Sequence, residues 1–263
     1  MASLTVAGQR VHYVHRASRS AGLPPVVFIH GAGGSHQNWL FQVRDLPSTT
    51  TYAPDLPGHG RSEGAGQDTI PAYADWIVAF LDAARSDRAV LVGHSMGGAI
   101  ALDVALRYPD RVAGLGLVAT GARLRTAPLL LETIQQDADA AIRHISDTAF
   151  GPEIPEWMKQ LGRRQMAATP PEVLYGDFVA CDSFDLMGQL GRIMTPTCVI
   201  CGTHDQMTPS KYSTYLRDQI AGAELVLVEA ASHMVMVEKP VPVLSALSDL
   251  LDRLQSGLPG QRT

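Results

Sequence analysis

The 263-residue sequence has only three cysteines and no excess of positive charge. A small, odd number of cysteines does not make a disulfide framework and is typical of chains in a reducing compartment, so we expect a cytoplasmic protein. With 21 Lys and Arg against 26 Asp and Glu, the formal net charge is -5. Because nucleic acids and anionic lipids attract basic surfaces, we expect neither as a partner.

Long apolar runs are absent as well. No stretch approaches the ~18 consecutive apolar residues that favour a membrane span. The segment 1–16 interleaves polar with apolar residues, unlike a signal peptide. The 24 glycines and 17 prolines are spread along the chain rather than clustered, which excludes collagen-like and linker sequences. A composition of 46% hydrophobic and 18% charged residues therefore predicts a globular protein.

Short apolar runs, each ended by turn residues, alternate with helical patterns along most of the chain. This alternation predicts an α/β fold, with a mostly parallel sheet that carries helices on both faces. The predicted strands are an edge hairpin of 4–6 and 11–14, then 25–29, 51–56, 89–92, 112–118, 197–201 and 223–228.

The alternation breaks between residues 122 and 190, where no strand-like run occurs. The apolar residues that recur there at helical spacing, and predict one amphipathic helix, are Leu131, Ile134, Ala138, Ile142 and Ile145. We interpret 122–190 as a helical cap inserted after the sixth strand. The core then consists of segments 1–121 and 191–263.

A serine in a glycine-flanked turn follows the predicted strand 89–92. Gly93-His94-Ser95-Met96-Gly97 matches G-x-S-x-G, and a helical pattern comes next. Side chains beside a sharp strand-to-helix turn would clash, so small residues are needed two positions before and after Ser95. The free amides at the helix N-terminus favour developing negative charge. By itself the pattern is also compatible with a serine that merely caps a helix.

A nucleophilic serine needs a base, and the base needs a third group that holds its tautomer. In this strand order the acid and then the histidine follow the serine, each in a loop after a strand. Asp205 follows the strand predicted at 197–201, and His233 follows the one at 223–228. We therefore predict Ser95 as nucleophile, Asp205 as acid and His233 as base.

The glycine-rich loop His30-Gly31-Ala32-Gly33-Gly34 suits an oxyanion hole, because such a loop can aim a backbone amide at a carbonyl oxygen. We predict that the amides of Ala32 and Met96 form the hole, with Gly33 as the alternative to Ala32. A dinucleotide fingerprint, G-x-G-x-x-G, would need glycine where the chain has His36. We predict neither a cofactor nor a metal.

The motifs together resemble the α/β-hydrolase superfamily, in the branch with a cap inserted over the site. Those that carry the resemblance are His30-Gly31, Asp55-Leu-Pro-Gly-His-Gly-Arg-Ser62, Gly93-His-Ser-Met-Gly-Gly98, Gly202-Thr-His-Asp205 and Ser232-His233. The resemblance covers about residues 25 to 240 and implies the same triad and oxyanion amides. One departure is Ser232, where relatives usually carry glycine.

The substrate pocket is harder to locate from sequence. The candidate substrate-binding residues are His30, Gly31, Trp157, Phe178, Met207 and Met234. Cys198 and Cys201 form C-x-x-C, but residues three apart on a strand point to opposite faces, so we expect no redox or metal pair there.

These residues predict a cofactor-independent serine hydrolase that acts on a small carboxylic ester, thioester or lactone. Ser95 argues against haloalkane dehalogenase and epoxide hydrolase activities, whose relatives use a carboxylate there. A carbon–carbon bond hydrolase of ring-cleavage products remains an alternative, although its relatives usually carry Asn where this chain has His94. An acyltransferase and a small-ligand receptor on the same fold are also left open.

Overall fold

A mixed sheet forms the centre of the computed structural model, which describes residues 2–18 and 22–256. The strands of these residues are β1 (Ala2–Val6), β2 (Gln9–Arg16), β3 (Val26–Ile29), β4 (Thr51–Pro54), β5 (Ala89–His94), β6 (Val112–Val118), β7 (Thr197–Gly202) and β8 (Glu224–Val228). They pair in the order β1-β2-β4-β3-β5-β6-β7-β8. The β1–β2 and β2–β4 pairs are antiparallel, and the other pairs are parallel.

The central strands have continuous apolar sequences because helices cover both of their faces. Every residue of β3, β5, β6 and β7 is buried. Such runs are typical of parallel strands between two helical layers. At the edge, β8 has one buried residue, Val228, and its other residues are exposed or half-buried.

Two helical layers enclose the sheet. The α-helices of the described residues are α1 (Leu40–Asp45), α2 (Ile70–Ala83), α3 (Met96–Arg107), α4 (Pro128–Gln136), α5 (Ala138–Ala149), α6 (Glu156–Ala167), α7 (Pro171–Ser183), α8 (Ser210–Gln219), α9 (Val235–Glu238) and α10 (Pro240–Ser256). One buried cluster joins α2, α3 and α8 to the sheet, and another joins α1, α9 and α10 to it. Both faces of the sheet are therefore packed against helices, as predicted.

The helices α4 to α7 lie between β6 and β7, so the prediction of a helical insertion after the sixth strand is confirmed. They share a small apolar cluster of their own, formed by Ile134, Ala141, Ile142, Ile145, Leu174 and Phe178. We refer to α4–α7 as the cap. The domain bounds 122–190, 1–121 and 191–263 stay a prediction, and the two core segments extend beyond the described residues.

The prediction of one helix through Leu131 and Ile145 is wrong. The structure has two helices there, because Asp137 leaves the helical conformation with φ -151° and ψ 83°. Its side chain accepts a hydrogen bond from the amide of Ala140 and caps α5. A capping aspartate ends one helix and starts the next without changing the spacing of the apolar residues, so periodicity alone does not reveal the break.

Within residues 2–18 and 22–256, no helix is both long enough and apolar enough to cross a membrane. The three cysteines are buried and free.

The first turn of α3 lies directly against the end of β3. A Cβ atom on Gly97 would be 2.3 Å from the Ile29 carbonyl oxygen, far closer than real Cβ contacts. We expect Gly97→Ala to lower the free energy of unfolding by about 3 kcal/mol, because backbone has to move to make room. Urea denaturation monitored by circular dichroism measures the change.

Gly191→Ala is the matched control, since a Cβ at Gly191 would have no neighbour within 4 Å. Equal stability losses in the two variants would contradict this account of the α3–β3 contact.

Candidate active site

Ser95 lies in the turn between β5 and α3, in a strained backbone conformation. Its φ is 52° and its ψ is -117°, a combination that costs about 1–3 kcal/mol for a residue other than glycine. Hydrogen bonds from both sides hold the turn. The Ser95 amide donates to the Val118 carbonyl at 3.0 Å, and the Thr120 hydroxyl donates to the Ser95 carbonyl at 2.8 Å.

Gly93 and Gly97 are glycines because backbone meets backbone at both positions. A Cβ on Gly93 would lie 2.1 Å from the Gly97 carbonyl oxygen, and Gly97 itself abuts the end of β3. The turn therefore closes only with hydrogen at these two positions, as the motif predicts.

His233 and Asp205 meet in the loops after β8 and β7. His233 Nδ1 and Asp205 Oδ2 are 2.9 Å apart. Since a carboxylate only accepts, Nδ1 carries the proton and Nε2 is left as the acceptor. Gly202 permits this approach, because a Cβ there would lie 2.2 Å from the Ala231 carbonyl oxygen. Within the described residues no direct hydrogen bond joins the Ser95 hydroxyl to His233, but both residues line one cavity.

Asp205 is held by more than His233. The amides of Met207 and Thr208 each donate to its Oδ1 at 2.9 Å, and the Thr208 hydroxyl donates to Oδ2 at 2.8 Å. Burial alone would raise the pKa of Asp205, but His233 and the bonds from Thr208 outweigh it and keep this pKa below its ordinary value. The carboxylate therefore stays ionised at neutral pH.

His94 supports the loop that carries His233. Its Nε2 donates to the His233 carbonyl at 3.0 Å, and the two ring centroids are 4.7 Å apart. Burial, reinforced by the His233 ring, lowers the pKa of His94 to about 3. A ring that stays neutral and is already bonded in this way positions its neighbour rather than transferring protons.

The loop after β3 has two candidate oxyanion amides, and only one of them already has an acceptor within the described residues. The Gly33 amide donates to Asp177 Oδ2 at 2.8 Å, whereas the Ala32 amide makes no hydrogen bond within the described residues. Met96 is the first residue of α3, where the amide has no acceptor within the helix. The amides of Ala32 and Met96 are therefore available to an anion, and that of Gly33 is not.

Asp177 of the cap is a fully buried carboxylate that binds three parts of the molecule. Besides the Gly33 amide, its Oδ2 faces His59 Nε2 at 2.8 Å, and its Oδ1 accepts from the Tyr73 hydroxyl at 2.5 Å. The other nitrogen of His59 lies 2.9 Å from the Pro57 carbonyl. With an acceptor at each ring nitrogen, His59 is doubly protonated. Burial alone would lower the pKa of His59, but Asp177 outweighs it and raises this pKa.

Contacts with Asp55 account for several residues of the motif 55–62. It accepts hydrogen bonds from the His36 ring at 2.8 Å and from the Arg61 amide at 3.0 Å, and its Oδ2 lies 3.2 Å from His12 Nδ1. A Cβ on Gly60 would lie 2.4 Å from its carboxylate. Although the donor atoms of His12, His36 and Asp55 lie within 4.8 Å of one another, as a metal site requires, Asp55 is occupied by these hydrogen bonds. We therefore interpret the cluster as a set of contacts that holds the loop after β4 in place.

The cavity above Ser95 has a volume of about 80 Å³ and a mostly apolar lining. Four of the predicted substrate-binding residues line it, namely Gly31, Phe178, Met207 and Met234. The other two do not. His30 is buried beneath the loop, where its Nε2 accepts from the Leu56 amide at 3.0 Å. Trp157 lines a neighbouring groove instead.

Sequence reasoning missed Thr208 and Asp177. Thr208 lies three residues after Asp205 and hydrogen bonds to it. Asp177 stands among Leu174, Phe178 and Cys181 on the buried side of α7. An acid on the apolar side of a helix is the signal that points to such a residue, because a buried charge requires partners.

Comparisons with known proteins identify the family and agree with the fold. A sequence model of the alpha/beta hydrolase family matches residues 26–246. The chain belongs to the alpha/beta hydrolase family. It is 30% identical over 237 residues to a pimeloyl-[acyl-carrier protein] methyl ester esterase of Neisseria meningitidis, which covers 83% of this chain and 90% of that protein.

Two solved structures are similar over nearly their whole length. The enol-lactonase of Burkholderia xenovorans LB400 has a TM-score of 0.87 and 25% identity, over 95% of this chain and 100% of that one. A thermophilic esterase has a TM-score of 0.83 and 33% identity, over 96% of this chain and 97% of that one.

Two buried histidines should make the fold sensitive to acid. Burial lowers the pKa of His30 to about 4 and that of His94 to about 3, whereas unfolded histidine titrates at 6.5. Below pH 6.5 the unfolded state therefore binds more protons, and stability falls as pH drops towards 4, by up to about 1.4 kcal/mol per pH unit for each group. Asp103, whose pKa burial raises to about 6, titrates with the opposite sign and offsets part of this loss.

Urea unfolding at several pH values between 4.5 and 7.5 measures the slope. His94→Asn should make it shallower, while His204→Gln, at an exposed position, should leave it unchanged. An identical slope in wild type and His94→Asn would refute the assignment.

The carboxylate of Asp177 should be important for stability. Asp177→Asn leaves protonated His59 buried without its counter-charge, so we expect a loss of about 3–5 kcal/mol in the free energy of unfolding. Asp82→Asn, which breaks the exposed pair with Arg111, should cost no more than about 1 kcal/mol. Chemical denaturation at pH 7 compares the two, and a loss below 1 kcal/mol for Asp177→Asn would contradict a charged pair.

Proposed function

We propose that this protein is a cofactor-independent serine hydrolase that cleaves a small carboxylic ester, thioester or lactone through an acyl-enzyme. The observation that carries the proposal is the 2.9 Å contact of His233 with Asp205, next to a cavity that Ser95 shares with His233. This arrangement supplies a nucleophile, a base with an available Nε2 and an acid that stays ionised.

In the first half of the reaction, His233 Nε2 takes the proton of the Ser95 hydroxyl while Oγ attacks the substrate carbonyl. The carbonyl oxygen becomes an oxyanion, which the amides of Ala32 and Met96 stabilise by hydrogen bonding. The bond to the leaving group then breaks, and the leaving group takes the proton from His233. Ser95 retains the acyl group as an ester.

In the second half, His233 takes a proton from water, and the resulting hydroxide attacks the acyl-enzyme. The same amides hold the second oxyanion. When this intermediate collapses, Ser95 Oγ recovers the proton from His233 and the carboxylic acid leaves. Throughout, Asp205 holds the Nδ1–H tautomer and stabilises the charged imidazolium.

The lining of the cavity and the relatives support a carbonyl substrate without a large charge. Among the described residues that line the cavity, the one charged side chain is Arg163, which is paired with Glu156 at 3.0 Å and with Asp147. The relatives act, by their names, on a methyl ester, an enol lactone and esters. The shared chemistry is attack on an acyl carbon with oxygen as leaving group.

We expect Ser95→Ala and His233→Ala to lower kcat for an aryl acetate by about 10⁴–10⁶-fold, and Asp205→Asn by about 10⁴-fold, with the fold intact. Ser248→Ala is the control, because the Ser248 hydroxyl donates to the Leu244 carbonyl on α10. Steady-state rates with circular dichroism of each variant provide the measurement. Full activity in Ser95→Ala or His233→Ala would overturn the assignment.

Labelling with a serine-directed phosphonate tests the alternative of a binding protein. Rapid labelling that maps to Ser95, together with multiple turnover of the aryl acetate, supports the hydrolase. Labelling without turnover of any ester would favour a small-ligand receptor.

A further inference from the structure

A second and larger apolar depression lies beside the catalytic cavity. It has a volume of about 730 Å³ and lies between β2 and α1 of the core and α6 of the cap. We call it the outer groove. The large apolar side chains that line it include Leu40, Phe41, Trp157, Met158 and Leu161.

The outer groove adjoins the catalytic cavity. Five residues line both, namely Asn38, Phe150, Gly162, Gln165 and Met234. Phe150 and Gly162 are in close contact at this junction, because a Cβ on Gly162 would lie 2.8 Å from the Phe150 ring. The absence of a side chain at Gly162 therefore allows α6 to approach Phe150 where the two spaces meet.

Met166 of α6 packs against the apolar cluster of the cap, but Trp157, Met158 and Leu161 belong to none of the apolar clusters of the described residues. No residue of α6 is buried, although the helix carries Trp157, Met158 and Leu161. Trp157 and Leu161 are 63% and 47% exposed, and both face the groove. Side chains of this size at the surface, clustered around a depression, indicate a ligand that covers them.

The charges around the outer groove restrict what that ligand is. Among the described residues its lining has no acidic side chain, whereas it includes Arg16 and Arg44. Arg44 pairs with Asp45, and Arg16 donates to the Val43 carbonyl. A cationic chain would be repelled, while an uncharged hydrocarbon would bury its surface against the apolar side chains.

We propose that the outer groove binds an unbranched, uncharged aliphatic chain of the substrate, which extends from the ester group at Ser95 past Phe150 and Gly162. The inference rests on the proposed hydrolase function and deepens it. The preferred substrates are then medium-chain esters rather than acetates. This aliphatic chain belongs either to the acyl group or to the alcohol of the ester. In both cases the groove contacts the same kind of hydrocarbon surface.

Two ester series locate the chain. One varies the acyl group from acetyl to decanoyl on a fixed aryl leaving group, and the other varies the alcohol of an acetate over the same lengths. Transfer of one methylene from water to an apolar surface contributes a factor of about four. We expect kcat/KM to rise two- to fourfold per methylene in one series between four and eight carbons.

Leu161→Glu places a charge in the outer groove and should lower kcat/KM for the octyl-length ester about tenfold more than for the acetyl ester. Leu129→Glu is the matched control, because Leu129 is a 71% exposed leucine on cap helix α4 that lines neither space. It should leave the long-to-short ratio within twofold of wild type. A ratio that changes equally in both variants would overturn the proposal.

Three other results would also decide against it. One is a flat dependence on length in both series with the acetyl ester still hydrolysed, which leaves the proposed hydrolase function standing. Another is a wild-type dimer that Leu161→Glu converts to monomer in light scattering with an unchanged ratio, which would show that a second copy covers the groove. The last is failure to hydrolyse any ester, with Ser95 unlabelled, which overturns the proposed function itself.

Discussion

The contact between the first turn of α3 and the ends of β3 and β5 is the constraint on which the site depends. Ser95 has a positive φ because the chain must reverse from β5 into α3 within one residue. This reversal requires glycine at positions 93 and 97, because backbone packs directly against backbone there. This contact brings a serine hydroxyl, a helix N-terminus and the loop after β3 to the same edge of the sheet. The strain is balanced by the hydrogen bonds that Val118 and Thr120 make to the turn.

Asp177 makes the cap part of that arrangement. A single buried carboxylate connects α7 to the Gly33 amide, to His59 after β4 and to Tyr73 on α2. By occupying the Gly33 amide it also distinguishes the two candidate oxyanion donors. The cap is thus attached firmly through α7, while α6 has no buried residue and borders the outer groove. The two sides of the cap therefore differ physically, one anchored by a buried ion pair and the other facing an open apolar surface.

Much of the core was predictable because its signals are local. Continuous apolar runs identified β3, β5, β6 and β7 to within one or two residues, since a strand covered on both faces carries no polar alternation. Ser95, Asp205 and His233 each follow a predicted strand, which predicted that they lie at one edge of the sheet, and the structure brings Asp205 and His233 into contact. The cap was predicted less well. Asp137 divides a helix that the apolar spacing describes as continuous.

The residues of the pocket were also predicted only in part from the sequence. Gly31 and Phe178 line the cavity, but His30 is turned beneath its loop and Trp157 faces the neighbouring groove. No sequence pattern distinguishes these cases, because each depends on how α6 and α7 lie over the core. Thr208 and Asp177 were likewise overlooked, since their partners are defined by side-chain contacts rather than by spacing.

The sequence by itself determined the sheet, the serine turn and the candidate chemistry, because glycine positions, apolar runs and residue order act within a few residues of the chain. Only the tertiary structure decided which amide of the glycine-rich loop is free and which histidine is held neutral or charged. It alone also showed that an apolar groove adjoins the catalytic cavity. These properties arise between residues far apart in the chain, such as Gly33 with Asp177, where burial and partner geometry set the energy.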